Sequence, residues 1–396
     1  MALSYLDTFP FNVTQPAIDV FLDSKQDDGQ IAGITYWQTA NAYTAIALHD
    51  AWSNTSTNAD RLDELVAMVQ NATGDCINDY NDDSMWWAMG LLELYGVTHD
   101  ARHLAVVENI WSHVVPSMIA PGQLVIDSVD MAGGVLWSDL SDETQVNSIT
   151  TGLFAELSAR LSTHAEDASA RDLLLEYAIL SMDWIYRCRY IADDYLVLDH
   201  IDIRTGETFD ANLTYNTGQA IAASVAIYDA AVKNDTGGTI TITDTDTDTD
   251  TDTGGGGGAS SATMQMYLDQ ARLMAMYSMN RTNWVDRDGT LTERDAYPGP
   301  GDDPLSPWQD DDAVGFKAIL LRNLVKLYKV LKRDGIDVGL QGEIAQFVRH
   351  QFWRLQDRDT NGRGQYGPWW AGPMDAVTSH SQLAALDVMA AIHAVV

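Results

Sequence analysis

Residues 316–331 read FKAILLRNLVKLYKVL, and residues 343–355 read EIAQFVRHQFWRL. In the first run Ile319, Leu320, Leu321, Leu324, Val325, Leu327 and Tyr328 point to nearly every side of a helix, which must then be buried almost all round. In the second, Ile344, Phe347, Val348 and Phe352 fall on one side only, as they should in a helix with an outer face. A buried helix followed at once by a half-exposed one is a hairpin with an inner and an outer member.

The pattern repeats along the chain. In 147–164 the residues Ile149, Leu153, Leu157 and Leu161 recur every four positions, and strand signals are nearly absent. The periodic segments lie near 15–24, 34–52, 58–71, 83–97, 100–118, 147–163, 168–189, 214–232, 263–282, 313–333, 341–355 and 378–394. About twelve helices, richly apolar ones alternating with one-sided ones, predict an all-α fold. The architecture is six hairpins closed into an (α/α)6 barrel, with six inner and six outer helices. Two bundles side by side are the alternative. The reading is one catalytic domain over 1–396 with a Thr/Asp/Gly-rich insertion at about 237–262. There TITITDTDTDTDTDTGGGGGASSA (239–262) has charge every second residue and then glycine, so it has nothing to bury and reads as a flexible loop. Its carboxylates could collect Ca²⁺, but the glycine-turn geometry of a calcium loop is missing. The methionines that follow it (Met264, Met266, Met274, Met276, Met279) read as outer-helix packing.

Composition narrows the partners. The net charge is −34, from 57 acidic and 23 basic side chains. Nucleic-acid binding rests on Lys and Arg against phosphate, so nucleic acid and anionic membranes would be repelled, a neutral or cationic partner is favoured, and a neutral glycan fits. No stretch approaches the ~20 apolar residues of a membrane span, and MALSYLDTFPFNV lacks the features of a signal peptide. Six N-x-S/T sequons, at Asn12, Asn54, Asn71, Asn212, Asn234 and Asn280, favour a secreted, extracellular glycoprotein whose signal has been removed. An anchor removed in the same way would tie it to a cell wall or membrane surface. Cys76 and Cys188 could form one disulfide, a point the sequence leaves open. No His or Cys spacing builds a metal site, and Gly133-Gly134 lacks the context of a nucleotide loop. DRDTNG (357–362) imitates a calcium loop but has Pro368 where the last ligand belongs, so it reads as a polar turn. No cofactor, metal or obligate protein partner is expected.

The candidate chemistry lies where the inner helices begin, because in such a barrel their starts ring one mouth. The segments there are ITYWQTAN (34–41), YNDDSMWW (80–87), VNSITTG (146–152), LTYNTG (213–218), PWQDDDAVGFK (307–317) and AVTSHSQ (376–382). Each alone could be a helix cap. Together they set Trp and Tyr beside amides and acids, as a sugar site requires: flat rings for pyranose C–H faces, polar groups for hydroxyls. The sharpest is Asp82-Asp83 beside Trp86 and Trp87. The pair could merely favour the helix dipole. At a barrel mouth, though, Cα atoms about 3.8 Å apart can aim two carboxyls into one cleft. Their separation of roughly 5–6 Å suits a retaining glycosidase. The dipole would keep one ionised as nucleophile, and burial against a Trp, with its charged neighbour, would keep the other protonated as acid. Asp310–Asp312 is a second acidic candidate, equally readable as a cap.

YNDDSMWWA (80–88), GGVLW (133–137), NSITTGLFAELSARL (147–161), LTYNTGQAIAASVAIY (213–228) and GFKAILLRNL (315–324) resemble, in order and spacing, glycoside hydrolase family 76. The resemblance covers nearly the whole chain and implies an (α/α)6 endo-α-1,6-mannanase, with a mannan or another mannose-containing glycan as its partner. It implies Asp82 as nucleophile and Asp83 as acid/base, with Trp37, Asn41, Asn147, Tyr215 and Asn216 lining the cleft. Trp86, Trp87 and Trp137, inside the same motifs, join them as substrate-binding candidates. A second branch of the family consists of fungal cell-wall proteins acting as transglycosidases on the mannose core of GPI anchors. That branch usually reads WWEAG where this chain has YWQTAN, so the chain is more similar to the hydrolytic members. A non-catalytic mannan-binding protein is the remaining reading, and the intact pair of acids argues against it.

Overall fold

The computed structural model describes residues 3–234, 261–293, 311–375 and 377–396. Twelve α-helices run through it: α1 (Leu3–Leu22), α2 (Tyr36–Ser53), α3 (Ala59–Thr73), α4 (Asn81–Thr98), α5 (Ala101–Val114), α6 (Ser148–Ser162), α7 (Ala168–Cys188), α8 (Thr214–Asn234), α9 (Ser261–Ser278), α10 (Asp311–Asp334), α11 (Val338–Arg358) and α12 (Ser379–Val395). All twelve expected helices are present. Most of the Thr/Asp/Gly-rich insertion lies outside the described residues, as do Asp310 and the start of PWQDDD.

The even-numbered helices form a closed ring, α2–α4–α6–α8–α10–α12 and back to α2, and the odd-numbered ones lie outside it, mostly spanning two inner neighbours. This is the (α/α)6 barrel. Its inner helices are buried on most sides, so they carry small residues and polar ones that bond within their own helix or to another element. Thr44, for example, donates to the Ala40 carbonyl at 2.8 Å. Where α8 crosses α10, a Cβ on Gly218 would come within 2.7 Å of Leu320 Cα, so only glycine permits that approach. The outer helices show the one-sided burial their sequences require: in α11 Leu340, Ile344, Val348, Phe352 and Leu355 are buried, at intervals of three or four.

Two features depart from the sequence reading. The first helix begins at Leu3, well before the expected start, with Pro10 and Pro16 inside it. Those prolines hide its first half in the sequence, because proline ordinarily interrupts a helix. Its second half docks on α12 through Ala17, Ile18, Phe21 and Leu22. Seven very short strands also appear: β1 (Val125–Ile126), β2 (Val129–Asp130), β3 (Gln145–Asn147), β4 (Tyr190–Ile191), β5 (Leu196–Val197), β6 (His200–Asp202) and β7 (Thr208–Phe209). They form three small antiparallel sheets, with β6 central in the sheet β3-β6-β7. Runs of two or three residues leave no period to detect.

Cys76 and Cys188 are both free thiols, so the disulfide that the sequence left open is not formed. Cys76 follows α3 and Cys188 ends α7, and those helices pack on different inner pairs. Burial pushes the Cys76 thiol up to about 12. Among the described residues no helix is long and apolar enough to cross a membrane. Asp357 and Arg358 end α11, and the residues after them form a turn closed by the Thr360–Tyr366 pairing, in which Asn361 Oδ1 accepts from the Arg363 amide at 2.8 Å.

Candidate active site

The starts of the inner helices do meet at one mouth, and a strip of extended chain holds the acidic pair there. Residues 79–81 and 137–139 run side by side: the Asn81 amide donates to the Trp137 carbonyl at 2.8 Å, and the Asp139 amide to the Asp79 carbonyl at 3.0 Å. The Asn81 side chain ties down the Leu136 carbonyl at 2.9 Å. Residue 136 pairs in turn with Val146, which precedes α6, and β3 pairs with β6. One small sheet thus links the starts of α4 and α6 to the segment leading into α8.

Asp82 and Asp83 occupy the first turn of α4 and are both half-buried. Trp137 donates its indole N–H to Asp82 Oδ2 at 3.1 Å, and the Asp83 amide donates to Asp82 Oδ1 at 3.0 Å. Asn78 Nδ2 donates to Asp83 Oδ2 at 2.8 Å. Burial and the neighbouring charge of Asp83 push the Asp82 carboxyl well above the usual carboxylate range. Burial pushes Asp83 up to about 6, opposed by the Asn78 hydrogen bond and assisted by the charge of Asp312. From the sequence, one carboxyl is expected to be raised by burial and the other kept ionised by the helix dipole; in the structure both are raised. What favours charge on Asp82 is its pair of N–H donors, against one on Asp83.

Around the pair stand groups from the other helices. Trp37 on α2 is half-buried and lies 6.3 Å from Trp86, 6.2 Å from Phe316 and 6.3 Å from His380 between ring centroids. Tyr215 on α8 stacks on Phe316 at 4.0 Å with ring planes 6° apart. The Tyr215 hydroxyl is pushed above its ordinary value by burial, then by the carboxylates of Asp199, Asp82 and Asp312, which places it among all three. Asp312, exposed at the start of α10, accepts from Gln38 Nε2 at 2.9 Å. One residue of the second acidic candidate thus joins this mouth.

The structure keeps Trp37, Asp82, Asp83, Trp137 and Tyr215 at the mouth with accessible surface. It corrects four substrate-binding expectations. Trp87 is 1% exposed and sits between Tyr36 and Tyr43, and Trp86 is 3% exposed beneath Trp37. Asn41, 2% exposed, accepts from Arg322 Nη1 at 2.9 Å and donates to the Trp37 carbonyl at 3.1 Å. Asn216, 1% exposed, donates to Asp199 Oδ1 at 3.0 Å. Trp86, Trp87 and Asn41 lie past the first turn of their inner helices, where neighbouring helices cover them, and Asn216, within the first turn of α8, is covered beside Asp199. Asn147, also buried, caps α6, accepting from the Thr150 amide at 3.0 Å.

Sequence reasoning missed Asp199 and His200. Asp199 Oδ1 accepts from Asn216 and, at 3.4 Å, from the Tyr215 hydroxyl, while Oδ2 lies 3.1 Å from His200 Nδ1. The Asp199 backbone carbonyl accepts from the Ser148 amide at 2.9 Å, fixing it at the start of α6. It precedes a three-residue strand, and nothing in its sequence neighbourhood marks it. Asp63, Asp100 and His103 gather on the outer surface, where Arg102 donates to both acids.

The chain matches the model of glycosyl hydrolase family 76 over residues 12–239. A Schizosaccharomyces pombe protein, named as a candidate mannan endo-1,6-α-mannosidase, is 25% identical over 154 residues. That match spans 38% of this chain and only 34% of the relative, so about two thirds of the relative's length lies outside it. The fold is similar to that of an inactive variant of the Salegentibacter sp. HEL1_6 α-1,6-mannanase, altered at two adjacent aspartates and bound to α-1,6-mannotetrose. The TM-score is 0.73 at 19% identity, covering 96% of this chain and 98% of that one. It is also similar to that of Dfg5 from Chaetomium thermophilum in complex with glucosamine. There the TM-score is 0.70 at 14% identity, covering 98% and 90%.

Proposed function

The chain belongs to glycosyl hydrolase family 76, and from that premise we propose that it is a retaining endo-α-1,6-mannanase whose chemistry is carried by Asp82 and Asp83. The observation that carries the reading is the half-buried acidic pair, oriented by Trp137 and Asn78 at a mouth walled by Trp37 and Tyr215. The Salegentibacter relative, inactive once two adjacent aspartates are replaced, supports giving the pair this role.

In the proposed reaction Asp83, protonated, gives its proton to the glycosidic oxygen as the bond from that oxygen to C1 breaks. The Asp82 carboxylate attacks C1 from the opposite face and forms a β-linked mannosyl ester. Asp83, now a carboxylate, takes a proton from water, whose oxygen attacks C1 and expels Asp82. Two inversions leave the α configuration. A proton on Asp83 relieves its repulsion of Asp82, and the two N–H donors favour the Asp82 carboxylate, while burial, the larger cause, opposes its charge until positive charge develops at C1. Asp199, held by Tyr215 and Asn216, is placed to accept from sugar hydroxyls.

Linear α-1,6-mannan incubated with the protein should give short oligosaccharides whose first-formed reducing ends are α, followed by NMR. A β anomer appearing first would overturn the nucleophilic role of Asp82. Lengthened products would instead mean that a sugar hydroxyl replaces water, the transglycosidase reading to which the likeness to Dfg5 lends support.

The acid's environment sets the pH dependence. Asp83 must enter the reaction protonated, so kcat/KM should fall as pH rises through about 6. Asp312 raises the Asp83 carboxyl by its charge, so Asp312→Asn should move this limb to lower pH. A limb that stays in place in the variant would show that another group titrates there. We further propose a secreted protein: the sequon residues Asn12, Asn54, Asn71 and Asn280 are all exposed and so open to glycan attachment.

A further inference from the structure

The opposite end of the barrel, where the inner helices finish, holds a cavity of roughly 720 Å³. The whole chain contains six lysines, and four of them, Lys233, Lys326, Lys329 and Lys332, line this one cavity. In a molecule of net charge −34 such a concentration stands against the general field. Arg160 and Arg333 line it as well.

The charges divide into a closed floor and an open rim. On the floor Glu93 pairs with Arg160 at 2.7 Å, and Glu156 pairs with Lys326 at 2.7 Å and with Arg160 at 3.4 Å. Two acids and two bases cancel there. Burial alone would raise Glu156, but Lys326 and Arg160 hold it down to about 2. At the rim Arg333 is taken by Asp229 and Asp334. Lys233, Lys329 and Lys332 have no carboxylate within ion-pair distance among the described residues. Lys332 donates to the Tyr328 hydroxyl at 3.1 Å, and Lys329 stands 6.0 Å over the Trp52 ring. Among the described residues three cations without a carboxylate at ion-pair distance therefore surround a space of the size that small ligands occupy.

We propose that this cavity binds a phosphate-bearing saccharide, with Lys329, Lys332 and Lys233 on the phosphate and the space between Trp52 and Tyr328 taking the sugar. A dianionic phosphate offers lysine ammonium groups charge-assisted hydrogen bonds, which a neutral glycan does not. The competing role is structural: Lys332 and Lys233 lie in the last turns of α10 and α8, where cations offset the negative helix end. That role leaves Lys329 unexplained, since it stands a turn further in, beside Trp52.

Isothermal titration calorimetry of the full chain with mannose 6-phosphate, inorganic phosphate and mannose tests the proposal. Mannose 6-phosphate should bind more tightly than phosphate, and mannose should not bind at this site. Lys329→Ala and Lys332→Ala should each weaken mannose 6-phosphate by about tenfold while leaving hydrolysis of unphosphorylated α-1,6-mannan unchanged. Both lysines are exposed, so both variants should fold. Absence of binding, equal binding of mannose, or affinity indifferent to both substitutions would overturn the proposal. Substitutions that lower only the melting temperature would assign these lysines to the helix ends.

Discussion

If the proposed roles hold, Asp83→Ala should lower kcat on linear α-1,6-mannan by about 10²–10⁴-fold, the usual contribution of a positioned general acid, and Asp82→Ala should lower it at least as far. The two losses differ in kind, and that difference tests the roles. Without Asp83 the nucleophile is intact, so a substrate with a good leaving group, such as an aryl α-mannoside chain, should still form the mannosyl ester. Azide, needing no base, can then attack that ester and give an α-mannosyl azide. Without Asp82 no ester forms, and azide can enter only from the vacated face, giving the β-azide. An α-azide from Asp82→Ala would exchange the two roles. Near-wild-type turnover in either variant would remove the pair from the chemistry. Loss of fold does not explain loss of turnover here: both carboxyls are pushed up by burial, so each ionised form costs stability. The sign follows from linkage: a carboxyl raised in the fold favours the folded state at low pH and loses that contribution as pH rises through its folded value, about 6 for Asp83. Asp83→Asn, uncharged at any pH, should therefore melt higher than the wild type above pH 7.

The fold was legible in the sequence because a closed ring of helices leaves a simple trace. A helix with neighbours on every side is apolar or small all round, as in 316–331, and one lying outside is one-sided, as in 343–355. The acidic pair was legible because two charges beside two Trp sit badly in a core. Trp37 and Tyr215 were legible as rings at helix starts. What failed was the inference from polarity to cleft. On an inner helix a buried Asn serves other parts of the barrel, Asn41 the Arg322 of α10 and Asn216 the loop residue Asp199, and no local pattern separates it from a sugar ligand. Asp199 and the placing of Trp137 depend on strands of two or three residues and on pairings between distant segments, such as Gln145 with Asp202. Register of that kind is set by tertiary packing and leaves no period in the chain.

The case of Asn41 leads to the largest expected effect on stability. Arg322, 2% exposed in the middle of α10, donates through Nε and Nη2 to the two carboxylate oxygens of Asp387 on α12, at 2.7 and 2.8 Å. Its Nη1 donates to the side chain of Asn41 on α2 at 2.9 Å, and its Nη2 to the Asn41 carbonyl at 3.1 Å. One guanidinium thus joins three inner helices at the point where the last helix of the ring meets the first. Asp387→Ala leaves the cation buried without its partner, and should destabilise the protein by about 3–5 kcal/mol, read from denaturant unfolding. Asn41→Ala removes one neutral acceptor and should cost about 1–3 kcal/mol. Replacing both charged partners, as in Arg322→Met with Asp387→Leu, should restore much of the loss, since two apolar groups of similar volume leave no unpaired charge. The series also decides what Asn41 is for. A sugar ligand would raise KM on removal with stability unchanged; a residue that completes the Arg322 site would lower stability and leave KM alone, and its 2% exposure requires the second result.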